Sequence, residues 1–423
     1  MPRLVYVTSG DSVPLLPAAQ LASLRKRGFD VVVIASAGAA LSELSERGFA
    51  DTVAIPMVRE IRPRQDLVTL LRLYRTFRAL RPNIVNAGTP KAGLLGMVAA
   101  RLAGVPIRVY TLRGLRLETT RGVLRRVLST AERLAAICAT RIVCVSESLR
   151  RRYVALGYSP AEKACTLAGG SSRGVDIGRF CASPPRRAEA AGLRARLGIP
   201  RNAPVVGFVG RFTRDKGVPD LFDAFRSLSG RLGDARLLML GAFERGDAVP
   251  EHCMRGMGSH PRVVLTGPVT DPAPYYPMMD VLAFPSYREG FPNVVLEAAA
   301  SEVPTVGYAA TGTVDAVENG ATGTLVPVGD VEALADAIAR YLNDPTAGRR
   351  HGAAARQRVL RVFRQEAVFE AWQREYCRLL GERGVPLPRP RAEVEVESAG
   401  ARPLVPGPHF IGPAVASPHA ERR

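Results

Sequence analysis

Between Glu289 and Glu297 the chain reads Glu-Gly-Phe-Pro-Asn-Val-Val-Leu-Glu, two carboxylates separated by seven residues. The first follows an apolar run, Val281-Leu282-Ala283-Phe284, closed by Pro285-Ser286; the second lies in the Ala-rich stretch 294–300. That order predicts a strand, a turn and a helix start, with one acid in the loop and the other inside the helix. A helix N-terminus offers unbonded N–H groups and the positive end of the helix dipole, so the amides of Gly290, Phe291 and Asn293 suit an anion. Carboxylates accept hydrogen bonds from sugar hydroxyls. Phosphate at the helix end and hydroxyls at the acids would together suit a sugar nucleotide. The same spacing also fits a solvated acidic loop followed by a helix-face Glu.

A second loop speaks to the first. Gly210-Arg211-Phe212-Thr213-Arg214-Asp215-Lys216-Gly217 comes directly after the apolar run Val205–Val209 and before a helical pattern, Asp220–Ser229. Glycines at both ends permit close backbone approach, Arg gives a fork of donors, and Lys adds a compact charge that can neutralise a leaving phosphate. Such a loop suits a diphosphate; a solvated basic turn is the plainer alternative.

These loops need a scaffold, and the periodicity supplies one. Residues 1–185 alternate β-branched runs (Val5–Thr8, Val31–Ala35, Val53–Ile55, Ile84–Asn86, Ile107–Thr111, Ile142–Val145) with amphipathic segments. In Asp66–Leu80 apolar residues recur at 67, 70, 71, 74 and 77, one helical face, with Pro82 closing the element. The Pro-flanked, charged stretch 186–200 reads as a linker. The alternation restarts over 201–345 with Val205–Val209, Arg236–Leu240, Val263–Thr266, Val281–Phe284, Thr305–Gly307 and Thr324–Val326, interleaved with helices such as Asn293–Ala300 and Val331–Leu342. The expected class is therefore α/β: two Rossmann-like, doubly wound parallel sheets facing across a cleft, where ligands bind beyond the strand ends. A helical segment should follow over 346–384, continuous from Ala347 to about Leu380, and a disordered tail over 385–423.

Bulk properties narrow the partners. A chain of 423 residues, 47% hydrophobic, suits two soluble domains. The chain begins with a strand, Leu4-Val5-Tyr6-Val7, rather than a signal peptide, and its longest apolar stretches stop well short of a membrane span. The cysteines at 138, 144, 165, 181, 253 and 377 are scattered and form no Cys-x-x-Cys, so they read as reduced, mostly buried thiols of a cytoplasmic protein. Residues 1–190 carry 30 Lys plus Arg against 13 Asp plus Glu, net +17; residues 191–423 carry 28 against 26, net +2. A basic first domain implies an anionic partner. The segment 115–138 places apolar residues at 123, 124, 127, 128, 131, 134 and 135 beside Arg116, Arg121, Arg125, Arg126 and Arg133. A basic amphipathic helix of that kind can lie on an anionic membrane surface, each cation contributing on the order of 1 kcal/mol. It also fits an ordinary packed helix with a solvated Arg face.

With both loops and the two-domain layout in view, the chain resembles retaining, nucleotide-sugar-dependent glycosyltransferases of the GT-B fold, in the large family 4 that carries the Glu-x7-Glu motif. The resemblance runs from residue 4 to about 330 through Thr89-Pro90-Lys91-Ala92-Gly93, Gly104-Val105-Pro106, Gly174-Val175-Asp176, Gly210–Gly217, Gly241-Ala242-Phe243-Glu244, Glu289–Glu297 and Gly320-Ala321-Thr322-Gly323. Its first half looks most like bacterial enzymes of capsule, O-antigen and glycan assembly that use lipid-linked acceptors. The resemblance implies transfer with retention, no cofactor and no metal. Arg211 and Lys216 would hold the donor diphosphate, Glu289 the donor sugar and Glu297 the ribose hydroxyls. Gly210, Gly290, Phe291, Pro292 and Asn293 would line the donor. Glu289 is not assigned as a nucleophile. On the acceptor side of the cleft stand Lys91, Arg113 and Arg173. Arg113 takes a position where many relatives have His before Gly, and Arg173 one where Asn is common.

The implied partners are a nucleotide sugar, with UDP-linked sugars the first choice, a lipid-linked or glycan acceptor, and the inner face of the cell membrane. The absence of Asp-x-Asp and the scarcity of His argue against a metal site. A dinucleotide-dependent oxidoreductase would need Gly-x-Gly-x-x-Gly after the first strand, and residues 8–13 lack it. A nucleic-acid-binding role rests on charge alone, without aromatics among the basic residues. An inactive scaffold of the same family is a third alternative, and the intact Arg211, Lys216, Glu289 and Glu297 set speaks against it.

Overall fold

The computed structural model describes residues 1–390, apart from 10–12, 14, 15, 59, 229, 231 and 233. The tail expected from residue 385 lies outside the described residues from 391 onwards.

The first half builds β1 (Arg3–Val7), α1 (Ala18–Lys26), β2 (Asp30–Ala35), α2 (Ala39–Glu46), β3 (Asp51–Ala54) and α3 (Pro63–Leu80). It continues with β4 (Ile84–Gly88), α4 (Pro90–Leu102), β5 (Ile107–Leu112), α5 (Gly122–Cys138), β6 (Arg141–Cys144), α6 (Glu147–Ala155) and β7 (Ala164–Thr166). Two helices, α7 (Ile177–Phe180) and α8 (Pro184–Arg196), lead into the second half. There β8 (Val205–Val209), α9 (Val218–Leu228), β9 (Arg236–Leu240), α10 (Glu251–Ser259) and β10 (Val263–Gly267) form the first part. The remainder is β11 (Val281–Phe284), α11 (Asn293–Ala300), β12 (Thr305–Tyr308), α12 (Thr313–Ala316), β13 (Gly323–Val326) and α13 (Val331–Asn343). Last come α14 (Pro345–Arg358) and α15 (Gln365–Glu382).

Two separate parallel sheets result, in the orders β3-β2-β1-β4-β5-β6-β7 and β10-β9-β8-β11-β12-β13. Strands such as β2, Asp-Val-Val-Val-Ile-Ala, are near-continuously apolar because helices cover both faces. The order reverses between β1 and β4 in one sheet and between β8 and β11 in the other, the arrangement of two Rossmann-like domains. The expected α/β class and two-sheet layout are as observed.

Four local readings change. The linker stretch is helical through Arg196, Pro184 and Pro185 standing where a helix tolerates them, in its first turn. The edge strand β7 is only three residues long, too short to register as a periodic run. The final helix is not continuous: a π turn at Val359–Phe363 and an extended Arg364 (φ −58°, ψ 137°) divide α14 from α15. Finally, α3 buries Thr69, Leu73 and Phe77 and leaves Leu67, Val68 and Leu71 exposed, so its packed face is rotated from the one expected.

The break at Arg364 has a topological purpose. Val175 N donates to Phe363 O (2.9 Å) and Gln365 N to Val175 O (3.1 Å), so the two segments that cross between the domains run side by side. Beyond the crossing, α15 returns to the first domain. Its Val368, Trp372, Tyr376, Leu379 and Leu380 join a core with Leu4, Tyr6, Leu21, Phe29 and Val31. Arg141 anchors the helix through Glu375 (2.8 Å). Val385, three residues past the end of α15, packs against the same core.

Candidate active site

In open α/β sheets the crevice lies beyond the strand ends where the order reverses. The Gly210–Gly217 loop leaves β8 and the Pro285–Pro292 loop leaves β11, and these strands are neighbours at the reversal of the second sheet. The two loops therefore meet. Gly217 makes the meeting possible: its φ is +67°, and a Cβ there would stand 2.0 Å from Pro285 O. Tyr287 N donates to Asp215 O (2.9 Å), which fixes the register of one loop on the other.

In that register Lys216 Nζ forms an ion pair with Glu289 Oε1, which also accepts from Ser286 Oγ (2.9 Å). Arg211 pairs with Glu244 (2.7 Å), and Arg288 with Asp215 (2.7 Å). Burial works to raise the Asp215 carboxyl, but the Thr213 hydroxyl and the cations Arg288, Lys216 and Arg211 outweigh it and hold it below the ordinary range. Asp215 thus stays charged beside its partner Arg288.

Gly290 touches the other domain. A Cβ on it would stand 1.9 Å from Arg113 O, so only glycine lets these backbones meet. Arg113 leaves β5; its Nη1 donates to Ser172 Oγ (2.8 Å), and its Nε would stand 2.9 Å from a Cβ on Gly88. Burial pushes its guanidinium down to about 10, still protonated at neutral pH. Next along, Phe291 is buried against Phe363 with ring centroids 5.3 Å apart, and Pro292 precedes the first residue of α11. Asn293 Oδ1 accepts from Ser171 Oγ (3.0 Å). Glu297 is buried and fully engaged: Arg173 Nη2 donates to Oε1 (3.1 Å) and Tyr276 OH to Oε2 (2.7 Å).

The structure therefore gathers Gly210, Arg211, Lys216, Glu289, Gly290, Phe291, Pro292, Asn293, Glu297, Arg113 and Arg173 around one domain junction. Lys91 pairs with Asp66 (2.7 Å) and the Glu60 carbonyl, tying α4 to α3 and to the segment before it. Several partners escaped sequence reasoning. Tyr276 and Arg288 bear no spacing signal. Ser171 and Ser172 precede Arg173 and look like turn residues.

A latch of polar contacts was equally invisible. Asp315 of α12 accepts from Glu147 N (3.1 Å), Ser148 N (3.1 Å) and Ser148 Oγ at the start of α6, and Gly312 N donates back to Ser148 Oγ (2.8 Å). Thr311 Oγ1 donates to Glu118 (3.1 Å), and Arg288 Nε to Thr119 Oγ1 (2.9 Å). Arg288 thus serves both the contact across the cleft and the ion pair between the two loops. Among the described residues no cluster of three or more His, Cys, Asp or Glu is arranged to hold a metal.

Comparison with known proteins fits this geometry. The family description "Glycosyl transferase 4-like domain" matches residues 18–170, and "Glycosyl transferases group 1" matches residues 203–344. The capsular polysaccharide biosynthesis glycosyltransferase CapM of Staphylococcus aureus is 36% identical over 376 residues, covering 89% of this chain and 97% of CapM. The chain belongs to the group 1, family 4-like glycosyltransferases. The Escherichia coli enzyme UDP-Gal:alpha-D-GlcNAc-diphosphoundecaprenol alpha-1,3-galactosyltransferase is 26% identical over 78% of this chain and 86% of its own. Among solved structures, Anabaena HepE in complex with UDP-glucose aligns with a TM-score of 0.73 at 21% identity, covering 89% of this chain and 99% of HepE, which shows the GT-B fold. This glycosyltransferase is an enzyme whose two family matches cover β2–β7 of the first sheet and all six strands of the second.

Proposed function

We propose that this glycosyltransferase moves a sugar, with retention, from a nucleotide diphosphate sugar to a lipid-linked or glycan acceptor in cell-surface polysaccharide or glycoconjugate synthesis. The observation that carries the reading is the convergence of Arg211, Lys216, Glu289 and Glu297 beside the Gly290–Arg113 junction. Donor binding would exchange internal ion pairs for ligand contacts. Lys216 and Arg211 would turn to the diphosphate, and Glu289 to the sugar hydroxyls. Glu297 would offer the ribose an oxygen that Arg173 now bonds. Negative charge grows on the departing diphosphate, and fixed cations and the α11 N-terminus stabilise it without a metal. UDP is the preferred base, a choice supported by the UDP-Gal in the name of the E. coli relative and by HepE bound to UDP-glucose. CapM's capsular role and the diphosphoundecaprenol acceptor named for the E. coli enzyme support the acceptor class.

The proposed workplace is the inner face of the cell membrane. No helix among the described residues is long and apolar enough to cross a bilayer. However, α5 leaves Val123, Leu124, Val127, Leu134 and Ile137 exposed beside exposed Arg121, Arg125, Arg126 and Arg133. On α3, exposed Leu67, Val68 and Leu71 stand with exposed Arg72, Arg75 and Arg78. An apolar stripe with basic flanks suits an anionic lipid surface.

Nucleotide release from a panel of sugar nucleotides, with a bacterial lipid extract as acceptor, tests the reading. Lys216→Ala should lower transfer by roughly 10²–10³-fold, as loss of one charge-stabilising donor does elsewhere. Its melting temperature should stay close to that of the parent. Near-normal turnover would remove Lys216 from the site.

A further inference from the structure

In front of the donor loops, where the domains face each other, lies a cavity of about 660 Å³ lined from both sides. Arg116, Thr119 and Thr120 come from the segment between β5 and α5, with Glu60 from the segment before α3. Arg211, Arg214, Asp215, Glu244, Asp247 and Arg288 come from the second domain, so four carboxylates and four arginines share the lining. Two of the four lining arginines are neutralised, Arg211 by Glu244 and Arg288 by Asp215. Among the described residues, Arg116 and Arg214 have no carboxylate within ion-pair distance. Arg214 is nevertheless held in place, since its Nε donates to Ala248 O (2.9 Å) and its amide to Asp247 O (3.1 Å). Thr120 Oγ1 donates to Arg116 O (2.9 Å), which fixes the backbone that carries Arg116.

Two arginines without an ion pair, one from each domain, therefore border one space, which the carboxylates of Glu60 and Asp247 also line. An anion seated between the two guanidinium groups is attracted from both sides. We propose that this cavity is an acceptor subsite for a saccharide carrying an anionic group, a phosphate or a sugar carboxylate, gripped between Arg116 and Arg214. The inference rests on the transferase reading above and names the charge class of its acceptor. The geometry places that anion close to the chemistry, since Tyr287 and Arg288, both lining the cavity, immediately precede Glu289. Arginine suits both oxyanions because its planar fork matches their paired oxygens.

Calorimetric titration of the full chain with glucose 1-phosphate, with a glucuronate-ended disaccharide and with neutral cellobiose tests the proposal, at low salt and with and without saturating UDP. At least one anionic probe should bind, and Arg116→Ala and Arg214→Ala should each weaken it about tenfold or more. Which probe binds distinguishes phosphate from carboxylate. The Arg116 variant is decisive, because a probe seated in the donor loops would be indifferent to it. Weakening in both variants supports the subsite even if UDP fails to bind, an outcome that would instead overturn the donor assignment. Unchanged affinity in both variants, equal binding of cellobiose, or no anionic binding at all would overturn the subsite.

Discussion

Glu132 lies on the buried side of α5 with its carboxylate between two hydroxyls, Tyr110 OH at 3.0 Å and Tyr153 OH at 3.3 Å. Burial raises its pKa to about 7 against the two hydrogen bonds that lower it. The folded protein therefore holds a proton there that the unfolded chain gives up above its ordinary value of 4.5. Stability must fall as pH rises between those values and stay lower above 7, by about 1–3 kcal/mol. Glu132→Gln keeps an acceptor for both tyrosines and removes the titration, so its stability relative to the parent should be higher at pH 8 than at pH 5. Urea midpoints at the two pH values check this; an identical offset at both would contradict it. At this scale the sequence was legible where chemistry imposes residue type. Lys216 and Glu289, each singled out by its own loop, pair across 73 positions. The partners of Glu297 were not legible, because Arg173 reaches it across 124 positions and Tyr276 does so from a different element.

The contact of α12 with α6 shows what elements add. A carboxylate accepting from two N-terminal amides of a helix is a cap, normally supplied by a residue of the same chain turn. Here Asp315 performs it across the cleft, 168 residues from Glu147, while Ser146 caps α6 locally through Leu149 N. Asp315→Ala should leave both domains folded but release the closed arrangement, since a lost cap costs about 0.5–2 kcal/mol. Hydrogen exchange at Glu147 and Ser148 should quicken by roughly two- to thirtyfold, and small-angle scattering should report a larger radius of gyration. Unaltered exchange at those amides would show that other contacts hold the cleft. Strands and helix starts were readable from periodicity because each buries a face. The packed face of α3 was misread because apolar residues appear on its exposed side too, which periodicity alone cannot assign to core or surface. The division at Val359–Arg364 carries no Gly or Pro, so nothing local marked it; its cause is the pairing with Val175.

For the whole molecule, the charge asymmetry and the exposed stripes of α3 and α5 lead to one expectation. Flotation with vesicles containing anionic lipid should recover the protein at low salt and lose it as salt screens the attraction. Replacing Val123 and Val127 with Ser should weaken recovery several-fold without altering donor hydrolysis. Equal flotation with neutral and anionic vesicles would contradict the electrostatic part. The two-domain plan was visible in the alternation of strands and helices, yet the ownership of the last helix was not. Tyr6 OH and Tyr376 OH meet at 3.0 Å across 370 positions of sequence. A ribosome adding about 5–20 residues per second needs roughly 20–70 s to make that interval. Throughout it the emerging first sheet lacks the side chains that cover Leu4, Tyr6 and Phe29, so its surface must be shielded by something other than itself. The second domain receives its own last covering helices, α13 and α14, before α15 begins. Synthesis therefore finishes the second domain first, and the opening strand of the chain is the last to be sealed.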